Sequence, residues 1–216
     1  FIFFIYNYCI MDWGNHVYIN LDKREDRNSK AIRQLKKIGI ENPNRFSAIQ
    51  NNDGIIGCAL SHISVIEKAM KDKLPYICVF EDDIDIIEPK ILKDKVDRLI
   101  DAQGGFDVLM LGGNNFGGKK IGLDLIKVEQ CYTTTSYIIN EHYYQTWIDN
   151  LKEGLEQLIR TGDRQYSLDA HNHKLQQKDR WYFQEDLLKS FHSNFQSYKK
   201  GIKYVEQFKT VQLYKL

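Results

Sequence analysis

The run Ile77-Cys78-Val79-Phe80, followed directly by Glu81-Asp82-Asp83, constrains the fold more than any other stretch of this 216-residue chain. Four consecutive apolar, β-prone residues read as a buried strand. Three adjacent carboxylates at its tip repel one another and resist desolvation unless a cation offsets them. Ligands of open α/β sheets bind outside the carboxyl ends of the strands, and hard divalent cations such as Mg²⁺ and Mn²⁺ bridge carboxylates to phosphates. The segment points to a metal-assisted transfer enzyme with a phosphorylated donor. A solvated acidic turn is the competing reading of the same three residues, and they do not decide between the two by themselves.

Strand and helix patterns alternate on either side of this segment. His16 to Leu21 reads as a first strand and Asp22 to Asp26 as a charged turn. From Arg27 to Ile38, apolar residues at Ala31, Ile32, Leu35 and Ile38 have helical spacing, and Gly39 supplies a stop. Arg45 to Ile49 reads as a second strand, which makes the start of a βαβ unit. A helix is expected over residues 56–70, with Ala59, Leu60, Ile63, Ile66, Ala69 and Met70 inward, ended by Leu74-Pro75. Further expectations are a helix near residues 90–101, a strand over 106–111 ending at Gly112-Gly113-Asn114-Asn115, a strand over 133–139 and a helix over 141–158. The last third gives a helix near 169–177, an aromatic strand or loop at Trp181-Tyr182-Phe183, and a loose tail.

Composition sets bounds on this reading. A net charge of +1 argues against a large nucleic-acid surface. An apolar fraction of 43% and an aromatic fraction of 12% fit a folded chain. The four cysteines, at positions 9, 58, 78 and 131, form no C-x-x-C pair, so a zinc site is not expected, and Cys58 and Cys78 read as buried free thiols. The opening Phe1 to Ile10 is apolar but shorter than the roughly 20 residues that span a bilayer. Residues 1–10 are read as an over-extended or disordered start and residues 11–216 as a single domain. The location expected is cytoplasmic or peripheral to a membrane.

Three segments carry candidate chemistry. Glu81 and Asp83, two apart, share a strand face while Asp82 points away. The loop from Asn20 to Arg27 closes a strand and opens a helix, so its side chains and free amides can meet a nucleotide or diphosphate; a salt-bridged surface turn is the alternative. Gly57-Cys58-Ala59-Leu60-Ser61-His62 begins a helix with small residues that allow close approach to a sheet or a ligand, and ordinary tight packing around a core histidine is the alternative.

Together these segments resemble glycosyltransferase family 25, which includes bacterial lipooligosaccharide galactosyltransferases and collagen β-galactosyltransferases. The resemblance rests on Ile19-Asn20-Leu21 with Arg24 and Arg27, Arg45-Phe46-Ser47-Ala48, Gly57 to His62, and Val79-Phe80-Glu81-Asp82-Asp83, in that order. It extends through residues 106–111 and 135–139. It implies a GT-A type, Rossmann-like α/β fold with a central mixed sheet flanked by helices, a UDP-sugar donor, Mn²⁺ (or Mg²⁺), and transfer of galactose or glucose with inversion to a glycan or hydroxylysine-type hydroxyl. Carried over, Glu81 and Asp83 become the metal ligands. Asn20, Arg24, Arg27, Gly57, Ser61, His62 and Asp82 become donor-side residues. Asp169 is the first choice for general base, with Glu185 and Asp186 behind it, and His171, His173 or His192 could add a metal contact.

The final third departs from the family pattern. Ser193-Asn194-Phe195 stands where an S-D-I-like triplet is expected, and no proline follows Trp181. A catalytically impaired relative that binds a glycan or a partner is therefore the alternative function. A different metal-dependent phosphoryl or nucleotidyl transferase is a third.

Overall fold

The computed structural model of the chain describes residues 13–86, 105–121 and 125–184. The expected helix at 90–101, the opening residues 1–10 and the tail lie outside the described residues. The first half runs β1 (His16–Asn20), α1 (Glu25–Lys36), β2 (Arg45–Ser47), α2 (Gly54–Lys71) and β3 (Tyr76–Glu81). The second half runs β4 (Val108–Lys120), β5 (Leu125–Asn140), a 3-10 turn (Glu141–Tyr143), α3 (Tyr144–Thr161), α4 (Leu168–His171), α5 (His173–Lys178) and β6 (Trp181–Gln184).

Among the described residues the strands form one mixed sheet, in the order β2-β1-β3-β5-β4-β6. β2 and β3 lie on either side of β1 and parallel to it, whereas β5 is antiparallel to both β3 and β4. Alternation along the strands divides the core in two. Tyr18, Cys78, Phe80, Leu109 and Ile138 pack with Ala31 and Leu35 of α1 and with Ile38 just after it on one face. Ile19, Ile77, Val79, Met110, Tyr137 and Ile139 pack with Ile63 and Ile66 of α2 and Trp147 and Ile148 of α3 on the other. Each fully buried side chain of this size contributes about 1.5–3 kcal/mol. Because α1 and α2 cover opposite faces, the chain reverses its winding between β1 and β3, and a crevice opens there at the carboxyl ends of both strands.

The helix ends show why the sequence breaks where it does. α1 starts at Glu25, inside the expected charged turn, because Glu25 and Asp26 suit the positive end of a helix. It ends at Lys36, two residues before the expected Ile38, and in the turn that follows Gly39, at φ +86°, lets the Ile40 amide donate to Leu35 at 3.2 Å. α2 begins at Gly54, where the Asp53 side chain accepts from the Ile55 amide at 2.9 Å. At its far end the Lys73 amide donates to Met70 and the Leu74 amide to Ala69, a Schellman closure with lysine, φ 54°, at the left-handed position. Met70, expected inward, is 39% exposed.

Two strands exceed their expected lengths. β4 continues through Gly112-Gly113-Asn114-Asn115 to Lys120, and β5 starts at Leu125 rather than 133. The glycines do not stop β4. A Cβ on Gly113 would lie 2.9 Å from the Cys131 sulfur, so glycine is what lets the two strands approach across a series of register shifts. The expected helix at 169–177 divides at Asn172, whose buried Oδ1 accepts from Trp147 Nε1 at 2.8 Å and Asn150 Nδ2 at 2.9 Å.

Asp107, just before β4, ties the sheet edge together. It accepts from the Arg180 backbone amide and guanidinium, each at 2.8 Å, and lies 2.8 Å from His142 Nε2. Burial pulls its carboxyl upward, but Arg180 and His142 outweigh that and hold it below the usual carboxylate range. Its contribution to stability is therefore complete above the unfolded carboxylate pKa of about 4 and is lost as pH falls through the lowered folded value. Asp107→Asn should cost about 1.5–3 kcal/mol at neutral pH and flatten this acid limb, read from urea midpoints across pH. Lys73→Gly should raise stability by about 1 kcal/mol by relieving the left-handed lysine, which chemical denaturation would register.

Candidate functional site

The crevice at the β1/β3 reversal is a cleft of about 330 Å³ lined by the β1–α1 loop, the β2–α2 loop, the first turns of α2 and the tip of β3. Asn20, the last residue of β1, organises its floor. Its side-chain amide donates to Asp82 Oδ2 at 2.7 Å and to the Arg24 carbonyl at 3.2 Å, and its Oδ1 accepts from Arg45 Nε at 3.0 Å. Arg45 also reaches Asp22 at 2.6 Å.

The acidic tip splits as strand alternation demands at its first two positions. Asp82 turns toward α1, where Arg27 Nη1 donates to it at 2.9 Å. Glu81 turns toward α2, with its Oε1 3.4 Å from His62 Nε2 and 3.5 Å from Thr134 Oγ1. β3 ends at Glu81, so Asp83 sits in the following turn and lies 3.7 Å from the guanidinium that holds Asp82. The Asp83 Oδ1 is buried and has no hydrogen-bond partner among the described residues. Burial, then the Glu81 charge, pushes the Asp83 carboxyl up to about 6, with Asp82 adding to the rise and Arg27 opposing it.

The helical segment is packed as tightly as its small residues allow. A Cβ on Gly57 would lie 2.6 Å from the Ile49 carbonyl oxygen. Ser61 Oγ accepts from the Ile49 amide at 2.8 Å and donates to the Gly57 carbonyl at 2.7 Å, so its hydroxyl fastens α2 to the loop after β2. His62 is 1% exposed, and its Nδ1 lies 2.9 Å from the Tyr137 hydroxyl. Arg24 lines the cleft but is held by Asp26 at 2.8 and 2.7 Å.

Asp169, in the first turn of α4, is not among the residues that line the cleft. Its Oδ2 accepts from the Thr133 amide at 3.2 Å, and its Oδ1 accepts from Ser167 Oγ and the Ala170 amide at 2.9 and 3.1 Å. Thr133 makes that bond from a left-handed backbone, φ 62°, which for a β-branched residue stores strain of about 1–3 kcal/mol. Asp169 is close enough to act on the Cys58 thiol. Burial, followed by the charges of Glu81, Asp169, Asp83 and Asp82, pushes that thiol well above its ordinary value. His171 lies 3.8 Å from Glu153, and His173 packs edge-on against Tyr132. Glu185, Asp186 and His192 lie outside the described residues.

The structure thus gathers Asn20, Arg24, Arg27, Gly57, Ser61, His62, Glu81 and Asp82 around one cleft. Cys58 lines it as well, and Arg45, outside the lining, holds Asn20. Cys58, His62 and Glu81 form a cluster able to hold a metal ion, each offering a ligand atom within 4.8 Å of the others. The sequence signal for Cys58 was its position four residues before His62, which puts both on one face of a helix. Both the acidic tip, with the orphaned Asp83 oxygen, and this cluster offer donors suited to a divalent cation.

Residues 52–113, which hold α2 and the acidic tip, match the profile of glycosyltransferase family 25 (LPS biosynthesis protein), so that segment is similar to the family. No curated protein matches the chain by sequence. Among solved structures it is similar to a glycosyltransferase involved in the glycosylation of the major capsid of PBCV-1, with a TM-score of 0.50 and 9% identity over 79% of this chain and 80% of that one. It is also similar to A197 from STIV, with a TM-score of 0.45 and 13% identity over 78% and 79%. The capsid glycosyltransferase shares the α/β fold, with a central mixed sheet flanked by helices. Among the described residues no helix is long and apolar enough to cross a membrane.

The Gly57 contact gives a direct test of how this cleft is built. Gly57→Ala should destabilise the protein by about 1–3 kcal/mol, because a backbone carbonyl cannot move aside as a side-chain tip can; thermal denaturation would measure it.

Proposed function

We propose that the chain is a metal-dependent UDP-hexose transferase, a single glycosyltransferase domain over residues 11–216. It passes galactose or glucose, with inversion, from a UDP-sugar to a hydroxyl of a glycan or hydroxylysine-type acceptor, in the cytoplasm or at a membrane periphery. The observation that carries this reading is the meeting in one cleft of Lys23, Arg24 and Arg27 with Glu81 and Asp82 of the acidic tip, which lies inside the segment that matches family 25. A nucleoside diphosphate sugar has the matching chemistry, with phosphates between cationic side chains and carboxylates that require a cation to accept an anion.

Glu81 and Asp83 would hold Mn²⁺ or Mg²⁺, which when bound supplies stabilisation of the charge that develops on the departing diphosphate. Arg27 is fixed by Asp82 at the cleft edge, where its remaining donors can meet a phosphate oxygen. Asn20, held by Arg45 and Asp82, keeps that arrangement rigid. Gly57, Ser61 and His62 shape the donor side of the cleft by setting how closely α2 approaches. Asp169, held beside β5 by the Thr133 amide, is the base that takes the acceptor's proton as its oxygen attacks the anomeric carbon. Its carboxylate is oriented by three hydrogen bonds that leave lone pairs free. Glu185 and Asp186 are the reserve candidates for that role.

Incubation with Mn²⁺ and a panel of UDP-sugars, following UDP release, tests the reading. Release from UDP-galactose or UDP-glucose is expected, falling about 10²–10³-fold in Asp83→Ala, the scale of losing one electrostatic stabiliser. Binding without release would replace it with a silent glycan- or partner-binding relative. Turnover of nucleoside triphosphates alone would replace it with a nucleotidyl or phosphoryl transferase.

A further inference from the structure

The donors around Glu81 are not all of the hard-oxygen kind. Cys58 and His62 stand four residues apart on α2, one above the other on the face turned to β3, and Glu81 projects from β3 to meet them. The three ligand atoms lie within 4.8 Å of one another, and His62 Nε2 is already 3.4 Å from Glu81 Oε1. A tetrahedral centre with bonds of about 2.0–2.3 Å sets its ligands about 3.3–3.8 Å apart. One edge of the triangle therefore has this spacing, and closure of the rest takes about 1 Å.

The histidine points independently to a missing partner. His62 is 99% buried by side chain, yet among the described residues its Nε2 makes no hydrogen bond, although Glu81 Oε1 lies 3.4 Å away. An unsatisfied polar atom in such a place costs about 1–3 kcal/mol and calls for an occupant. Its other nitrogen is engaged by the Tyr137 hydroxyl at 2.9 Å, itself fully buried. Outer partners of this kind fix the ring and tautomer of metal-bound histidines. Thr134 Oγ1, 3.5 Å from Glu81 Oε1, stands in the same relation to the carboxylate.

We propose that Cys58 Sγ, His62 Nε2 and a Glu81 carboxylate oxygen form a three-ligand site for a borderline transition-metal cation, Zn²⁺ in class, with its fourth position open to the cleft. Thiolate and imidazole together select such cations over Mn²⁺ or Mg²⁺, which prefer oxygen ligands alone. On binding, the Cys58 S–H bond breaks, its proton passes to solvent, and the thiolate takes the metal. All three residues line the same cleft as Asn20 and Arg27, so the open position faces the space where a water or phosphate oxygen would sit. The site shares Glu81 with the Mn²⁺ or Mg²⁺ ligands of the sugar-transfer reading but does not rest on that reading, because its cation is tested without any sugar donor.

Titrating the full metal-free chain with Co²⁺ tests it. The expected result is one Co²⁺ per chain with a thiolate-to-cobalt charge-transfer band in the near ultraviolet, removed by one equivalent of Zn²⁺ but not by excess Mn²⁺. Cys58→Ser, checked for folding by circular dichroism, should lose the band and weaken binding beyond the roughly 10–100-fold that loss of an outer partner costs. Asp83→Asn should keep the band, which separates this site from the acidic tip. Cobalt bound without a thiolate band, a band that survives in Cys58→Ser, displacement by Mn²⁺ as readily as by Zn²⁺, or no binding at all would each overturn the proposal.

Discussion

The side-chain amide of Asn20 is the point at which the sheet, the first helix and the cleft become one structure. Asp82 is almost fully buried at the end of β3, and a buried carboxylate without donors costs several kcal/mol. The chain supplies those donors from two other elements, the Asn20 amide at the end of β1 and the Arg27 guanidinium on α1. Asn20 in turn is gripped by Arg45 from β2. Four elements that share no continuous stretch of sequence are thereby held in register at the one edge where the sheet reverses its winding. With Asp82 satisfied from the α1 side, Glu81 is left to face α2, and the cleft acquires two chemically different walls.

Much of this frame was readable from residue order. β1, α2, β3 and the aromatic β6 appear within a few residues of their expected limits, because their signals are local: β-branched runs, helical apolar spacing and a proline or glycine stop. Opposite orientation of Glu81 and Asp82 also follows from the period of a strand alone. Asp83 does not extend that pattern, since β3 ends at Glu81 and the following turn sets its direction. The long β4–β5 ribbon was read short at the end where the two strands join, β4 after Leu111 and β5 before Thr133. Its glycines look like a turn in sequence, and only the opposing Cys131 and Thr133 show that they are there to let a neighbouring strand in.

The roles within the cleft were legible unevenly, for a similar reason. That Gly57 and Ser61 belong to a tightly packed helix start could be expected, but their use in fastening α2 to the Ile49 backbone depends on where a distant loop arrives. Cys58 was read as an inert buried thiol. What distinguishes it is company, the imidazole one helical turn on and a carboxylate delivered by another strand, and company of that kind is a property of the fold. The match to glycosyltransferase family 25 covers α2 and β3 but not the β1–α1 loop that completes the cleft. The cleft as a whole is therefore an argument from geometry.

The Asp107 clamp has a consequence for how the chain reaches this state. β4 and β5 are joined by a short connection and can pair early, as a hairpin does. β6 must find its place beside β4 across a separation of 73 residues, the span of the Asp107–Arg180 bonds. Closing so long a loop carries an entropy cost that nothing recovers until the strand has docked. The edge of the sheet is therefore expected to assemble last. Asp169, on the stretch of chain between, is tied to Thr133 of β5 rather than to β6, so its position relative to the acidic tip does not wait for that final strand.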